Sequence, residues 1–459
     1  MPDLAERLVE LCGERGVRQD DAVRALDPGF HKDNLAADLA VFPETTEAVA
    51  AIVALCRREG VAVVPQGGRT GIAGGAATTP RTVIVSLSRM QRIVALDPRA
   101  RTALVEAGVT LGALQQAAAA HGLSPGIDIG ARDSATIGGM ISTNAGGSEA
   151  FRHGTMRQRV LGLEAVLPDG TVLGDLTQVA KANEGYDVKQ LLIGAEGTLG
   201  IVTRAVLRLS DSPAARVSAL AACASAAAAV AALDRLQRQP GLALIAAEAM
   251  WRDHFVVTAQ ANGLDAFAGF AEAPLYVLFE AGGDDEERVR TAFETALADA
   301  VEAGEIVDVV IAATLAQRAD MWRVREDWAV DRAFPDGLWF DISVPIGALD
   351  ATVEAMTRRV RAHDPRHRVF IIGHLADGNL HVTVNASSPI TGAYDAVAPL
   401  IYAGLKEIGG SFSAEHGIGL EKRAALMHYA DPGKLALMRQ IKALLDPDGL
   451  MNPGKVLTP

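Results

Sequence analysis

Three glycine-rich stretches in the first half of the 459-residue chain constrain its fold more than any other feature. The first, "PQGGRTGIAGG" from Pro65 to Gly75, follows the apolar run "VAVV". The second, "PGIDIGARDSATIGGMISTNAGG", runs from Pro125 to Gly147. The third, "GAEGTLGIVTRAVLRL", starts at Gly194 and leads into another apolar run. Glycines let backbone amides converge, and converging amides bind phosphate oxygens. Arg69 adds charge to the first stretch. That stretch is not a Walker A loop, because no Gly-Lys-Ser/Thr closes it, and no GxGxxG occurs anywhere in the chain. Small groups in the second stretch, Ser134, Thr136, Ser142, Thr143 and Asn144, suit the edges of a flat ligand. Three such elements in one region fit an extended, phosphate-bearing ligand; tight turns in a β-rich domain are the alternative.

The surrounding sequence reads as α+β. Short β-branched runs ("TVIVSLSRM", "TALVEAG") alternate with helical patterns ("TTEAVAAIVALCRREG", "LGALQQAAAAHG"). The first helix has Thr45 or Thr46 as N-cap and Gly60 after its end. "LEAVLPDGTVL" predicts a hairpin about Asp169-Gly170. "SDSPAAR", Ser210 to Arg216, is a polar, proline-bearing joint, which predicts domains over 1–212 and 213–405, with a C-terminal segment over 406–459. Net charge is −13 without a long basic run, which argues against a nucleic-acid partner. Cys12, Cys56 and Cys223 are scattered, so a disulfide framework is not expected and a reducing, cytoplasmic setting fits. The most membrane-like run, Ala219 to Leu233, is too short to span a bilayer and predicts a packed helix.

The stretch "GHLADGNLH" carries His374 and His381 around an Asp377-Gly378 turn signal. A two-residue loop there pairs the histidines directly on one face, with Cβ atoms about 4.5–5.5 Å apart. They could share a metal ion or stack as a polar pair on a sheet. "SFSAEHGIGLEKR" adds Glu415, which would complete a His/His/Glu set with an open position. Such a set suits zinc and also manganese or iron. His416 beside it reads as general base, fourth ligand or helix-terminus histidine.

Taken together, "VPQGGRTG", "IGGMISTNAGG" and "GAEGTLGIVT" resemble the FAD-binding domain of the vanillyl-alcohol oxidase/p-cresol methylhydroxylase superfamily. "GHLADGNLH", "SAEHGIG" and "NPGK" resemble the C-terminal region of its D-2-hydroxy acid dehydrogenases, the D-lactate and D-2-hydroxyglutarate group. The resemblance covers nearly everything after the first thirty or so residues. It implies a two-subdomain FAD-binding domain, an α+β substrate (cap) domain with an antiparallel sheet, and a helical C-terminal segment. It implies that Pro65, Gln66, Gly67, Gly68, Arg69, Thr70 and Gly71 cradle pyrophosphate. Ser134, Thr136, Gly138, Gly139, Thr143, Asn144 and Gly146 would follow pyrophosphate and flavin. Glu196, Gly200, Ile201 and Val202 would lie near adenine, and Asn452 would contact the cofactor. No cysteine lies in these motifs and the pyrophosphate loop has no histidine, so non-covalent FAD is expected. The resemblance further implies a divalent metal, zinc first and manganese or iron as alternatives, on His374, His381 and Glu415.

The reaction expected is oxidation of a D-2-hydroxy acid to the 2-oxo acid, with His416 as base and hydride passing to flavin N5. Arg325, in "MWRVRED", matches the family's carboxylate-binding arginine, while Arg323 suits a helix surface. Trp339 stands where the hydroxyglutarate enzymes carry a lysine, Ala329 where they carry threonine and Thr383 where they carry asparagine. A smaller or more apolar substrate, such as D-lactate or D-2-hydroxybutyrate, becomes plausible, with Arg332 as a substitute anion partner for hydroxyglutarate. The expected electron acceptor is an electron-transfer flavoprotein or a quinone. An oxygen-using oxidase of glycolate type is the second reading. A homodimer is left open, and no transmembrane segment is expected. A zinc hydrolase would leave the glycine motifs without a role; a non-catalytic flavin-binding module is a further reading, in which alanine at His374 would change neither ligand binding nor turnover.

Overall fold

The computed structural model describes residues 2–263, 270–385 and 393–458. It divides into two compact units, residues 1–212 with 415–459, and residues 213–414. Residues 406–414 group with the second unit and residues 415–459 with the first.

In the first unit, helix Thr46–Arg58 begins where the Thr45 side chain accepts from the Ala48 amide. Gly60, at φ 64°, lies just past its end. Val49, Ile52, Val53 and Cys56 recur at helical spacing and are buried. One four-stranded sheet has the order Val17–Gln19, Leu39–Val41, Thr82–Ser86, Ala62–Gln66, with the last three strands parallel. A five-stranded antiparallel sheet has the order Ile93–Asp97, Thr102–Glu106, Ile201–Arg208, Val160–Val166, Val172–Asp175. Its last two strands form the hairpin expected around Asp169-Gly170, with Gly170 at φ 88°. The chain's end returns to this unit. The Val63 amide donates to Leu450 O and Val63 O accepts from Asn452, while Met451 joins the same core.

The second unit is built on a seven-stranded antiparallel sheet. Its order is Asp308–Ile311, Ala215–Cys223, Leu275–Gly283, Ala243–Trp251, Arg368–His374, Asn379–Asn385, Leu338–Ser343. The run Ala219–Leu233 is not one helix, contrary to expectation. Ala219–Cys223 finishes a buried strand hydrogen-bonded on both sides, and the helix is Ala226–Arg238. Ser225 separates them, its side chain accepting from the Ala228 amide as N-cap. Alanine favours helix locally, but two neighbouring strands supply the ladder that decides the first half.

Candidate active site

Within the first unit the three glycine stretches line one cavity, open to solvent. Every residue from Pro65 to Gly71 lines it, as do Thr136, Gly138, Gly139, Thr143, Glu196, Gly200, Ile201 and Val202. Among the described residues, the amides of Gly67, Gly68, Arg69, Thr70 and Gly71 form no hydrogen bond. Five successive uncommitted amides on a cavity wall are the donor set that a pyrophosphate requires, so this loop fits FAD. The amides of Gly138 and Gly139 are already engaged, with Ala107 O and the Thr136 side chain. They contribute close approach instead of donors. Leu87, Ile129 and Met140 supply apolar wall that local sequence did not mark.

Ser134, Asn144, Gly146 and Asn452 do not line this cavity; they shape it. A Cβ on Gly68 would stand 1.8 Å from Ser134 O, so these loops touch backbone to backbone. Asn144 adopts the left-handed conformation at the end of helix Ile137–Thr143, and its side chain accepts from Thr155 and the Arg157 amide. Asn452, 1% exposed, donates to Gly75 O and Glu196 O, joining the first and third stretches.

Glu196 is committed to the chain itself. Its carboxylate accepts from the Ile418 amide at 2.7 Å and the Gly419 amide at 2.8 Å. Burial pushes its carboxyl upward against the pull of those two amides. This staple accounts for the glycines of "EHGIG". Gly417 has φ 75° with its Cβ position 2.8 Å from Glu196 Oε1, and a Cβ on Gly419 would lie 1.9 Å from Ala73 O. The segment is held so that His416 lines the same cavity as the glycine loops. Glu415 sits beside it, its Oε1 accepting from the Gly147 amide at 3.0 Å.

In the second unit, polar residues gather on one face of the large sheet. The hairpin register differs from the sequence expectation. His381 stands opposite Ile372 and His374 opposite Asn379, so the histidines are diagonal neighbours, not direct partners. The loop has four residues, Leu375 to Gly378, instead of two. The Leu375 amide bonds Ala247 O on the next strand, the Gly378 amide returns to His374 O, and the Val344 amide holds Gly378 O. The slip is two residues, so both side chains keep the same face. Their rings approach edge to face, with centroids 5.5 Å apart.

Register places Glu248 opposite His374, Asp341 opposite His381 and Trp339 opposite Thr383, all on that face. Glu248 Oε1 lies 2.8 Å from His374 Nδ1, and its Oε2 lies 2.7 Å from Arg325 Nη2. Burial opposes the charge on Glu248, but His374 and Arg325 outweigh it and hold the carboxyl below its usual range. Asp341 lies 3.7 Å from His381 Nδ1 and accepts from Asn379 Nδ2 and the Ala414 amide. Burial raises the carboxyl of Asp377, which the charges of Glu248 and Asp341 raise further. Two imidazoles among three buried or half-buried carboxylates make a face suited to a cation. Arg325 is buried, whereas Arg323 is half exposed and pairs with Asp320. Arg332 is exposed and pairs with Asp327. Sequence reading overlooked Glu248 and Asp341. Each is a lone acid in an otherwise apolar strand, "ALIAAEAMW" and "LWFDIS", and that was the available signal.

The family profile "FAD linked oxidases, C-terminal domain" matches residues 212–456, and "FAD binding domain" matches residues 37–174. This chain belongs to the FAD-linked oxidase family. A relative named probable D-2-hydroxyglutarate dehydrogenase, mitochondrial, from Oryza sativa subsp. japonica is 37% identical over 97% of this chain and 80% of its own length. Another named D-2-hydroxyglutarate dehydrogenase, from Xanthomonas citri pv. viticola, is 38% identical over 90% of this chain and 88% of its own. The family's enzymes are flavin-dependent oxidoreductases, and this chain is one of them. The fold is shared with p-cresol methylhydroxylase with substrate bound, at TM-score 0.77, 17% identity, and 99% and 96% coverage of this chain and that one. It is shared likewise with 4-ethylphenol oxidase from Gulosibacter chungangensis, at TM-score 0.75, 20% identity, and 99% and 96% coverage. Among the described residues no helix is long and apolar enough to cross a membrane.

Proposed function

We propose that this chain oxidises a D-2-hydroxy acid to the 2-oxo acid as a dehydrogenase, with FAD held non-covalently and a divalent ion, zinc first and manganese or iron as alternatives, on His374, His381 and Glu415. The observation that carries the reading is His416 on the wall of the cavity made by the three glycine stretches. FAD, held by the glycine loops, would supply the hydride acceptor for substrate C2, and a divalent ion on His374, His381 and Glu415 would supply Lewis-acid polarisation of the C2 hydroxyl. A His416 ring nitrogen takes the hydroxyl proton. Arg325 binds the substrate carboxylate through its planar fork, of which one Nη is already held by Glu248.

Substrate size follows from the residues beside the histidine pair. Thr383 follows His381 by two on the same face, and Trp339 stands across from it. Trp339 packs edge to face on Trp328, with ring centroids 6.3 Å apart. An indole here presents an apolar wall and no cation, so a short side chain such as that of D-lactate or D-2-hydroxybutyrate fits better than a second carboxylate. We take the electron acceptor to be an electron-transfer flavoprotein or a quinone, and the setting to be cytoplasmic.

The test is a panel of D- and L-2-hydroxy acids with a dye acceptor, with and without a chelator. D-specific turnover that the chelator abolishes and zinc restores is expected. A protein that takes up no FAD, or turns over L-acids with chelator present, would sink the reading. Stoichiometric peroxide in air would select the oxidase alternative. His374→Ala should retain FAD while losing the divalent ion and at least about 100-fold in turnover; unchanged turnover would remove the metal from the mechanism.

A further inference from the structure

We propose that Glu248 is a positioning residue: its carboxylate locks the metal ligand His374 and the carboxylate-binding Arg325 into one unit and leaves His374 Nε2 as the ligating nitrogen. This rests on the metal and substrate roles given above to His374 and Arg325. Glu248 sits on a central strand, 1% exposed, directly opposite His374 in register. Its two oxygens are divided, Oε1 to His374 Nδ1 at 2.8 Å and Oε2 to Arg325 Nη2 at 2.7 Å. A carboxylate only accepts, so Nδ1 carries the hydrogen. In the neutral ring the lone pair then lies on Nε2, the arrangement by which a carboxylate behind an imidazole fixes its tautomer and raises its basicity toward a metal.

The other histidine is held differently. Asp341 stands 3.7 Å from His381 Nδ1, beyond hydrogen-bond distance, and its oxygens serve Asn379 and the Ala414 amide. Glu248 thus bridges one of the two imidazoles of this face to a guanidinium. A buried carboxylate that merely filled the strand would be replaceable by an apolar residue. One that divides its two oxygens between an imidazole and a guanidinium ties metal affinity to the aim of the substrate arginine.

Glu248→Gln keeps the shape but cannot serve both partners, because its one carbonyl oxygen can face either His374 or Arg325. In the FAD-loaded variant, Zn²⁺ affinity measured by competition with a chromogenic chelator should fall about 10- to 100-fold. KM for the D-2-hydroxy acid should rise with it, flavin content should be unchanged, and Glu248→Asp should recover part of both losses. A folded Glu248→Gln protein with wild-type Zn²⁺ affinity and wild-type KM overturns the proposal. Should that variant not fold, ¹⁵N-histidine spectra of the metal-free, FAD-loaded wild type decide, with His374 assigned by the signals lost in His374→Ala. Protonated Nδ1 with bare Nε2 supports the proposal, and the opposite tautomer overturns it. A wild type that binds no Zn²⁺ would defeat the metal reading itself, and the tautomer measurement would still test Glu248.

Discussion

His254 illustrates how much one buried side chain contributes without touching the chemistry. It is buried, its Nε2 finds no hydrogen-bond partner, and burial with the added charge of Arg325 pushes its pKa down to about 3. An unfolded histidine titrates near about 6.5. Between these values the unfolded chain binds a proton that the fold excludes. Stability from keeping His254 neutral is therefore complete above about pH 6.5 and is lost as pH falls toward about 3. His254→Leu should flatten the fall in Tm between about pH 7 and pH 4 by up to one proton's worth of linkage; parallel Tm–pH curves would refute this. The proposed role of Trp339 in substrate choice has its own test. Trp339→Lys should raise kcat/KM for D-2-hydroxyglutarate relative to D-lactate by about 10-fold or more, the scale of one charge-assisted hydrogen bond to a carboxylate. An unchanged ratio would separate Trp339 from substrate choice.

The histidine hairpin shows how elements set the site. Gly378 has φ 75°, and a Cβ there would stand 2.0 Å from Val344 O. Gly378→Ala should cost at least about 1–3 kcal/mol from left-handed backbone alone. By disturbing His374 and His381 it should also lower Zn²⁺ affinity while leaving flavin content unchanged. Denaturation and chelator competition on the same preparation test both halves, and a variant of wild-type stability would contradict the steric argument. The face shared by the two histidines was legible in the sequence, because alternation along paired strands survives a two-residue slip. Their diagonal register was not, because the Leu375 amide is claimed by Ala247 on another strand.

At the scale of the molecule, the last residues of the chain belong to the glycine-loop unit. Asn452 is the joint, donating to Gly75 O and Glu196 O from the far end of the sequence. Asn452→Ala leaves two buried carbonyls without this partner. It should destabilise the protein by about 1–3 kcal/mol and loosen FAD, read as faster flavin loss on dilution or gel filtration. Wild-type flavin retention would show that the loops keep their shape without the joint. The C-terminal "NPGK" is legible in the sequence as a motif, but its task of tying two loops is not, since 377 positions separate Asn452 from Gly75.

By itself the sequence determined the local events. Thr45 caps its helix, the Asp169-Gly170 hairpin forms, and the first glycine loop leaves its amides uncommitted, because each depends on a few neighbouring residues. Tertiary structure alone decided that Ala219–Cys223 is strand, that His374 faces Asn379, and that Glu248 stands between His374 and Arg325. Those outcomes rest on ladder bonds and buried charges supplied by strands and helices distant in the chain. Local propensity carries no information about such partners.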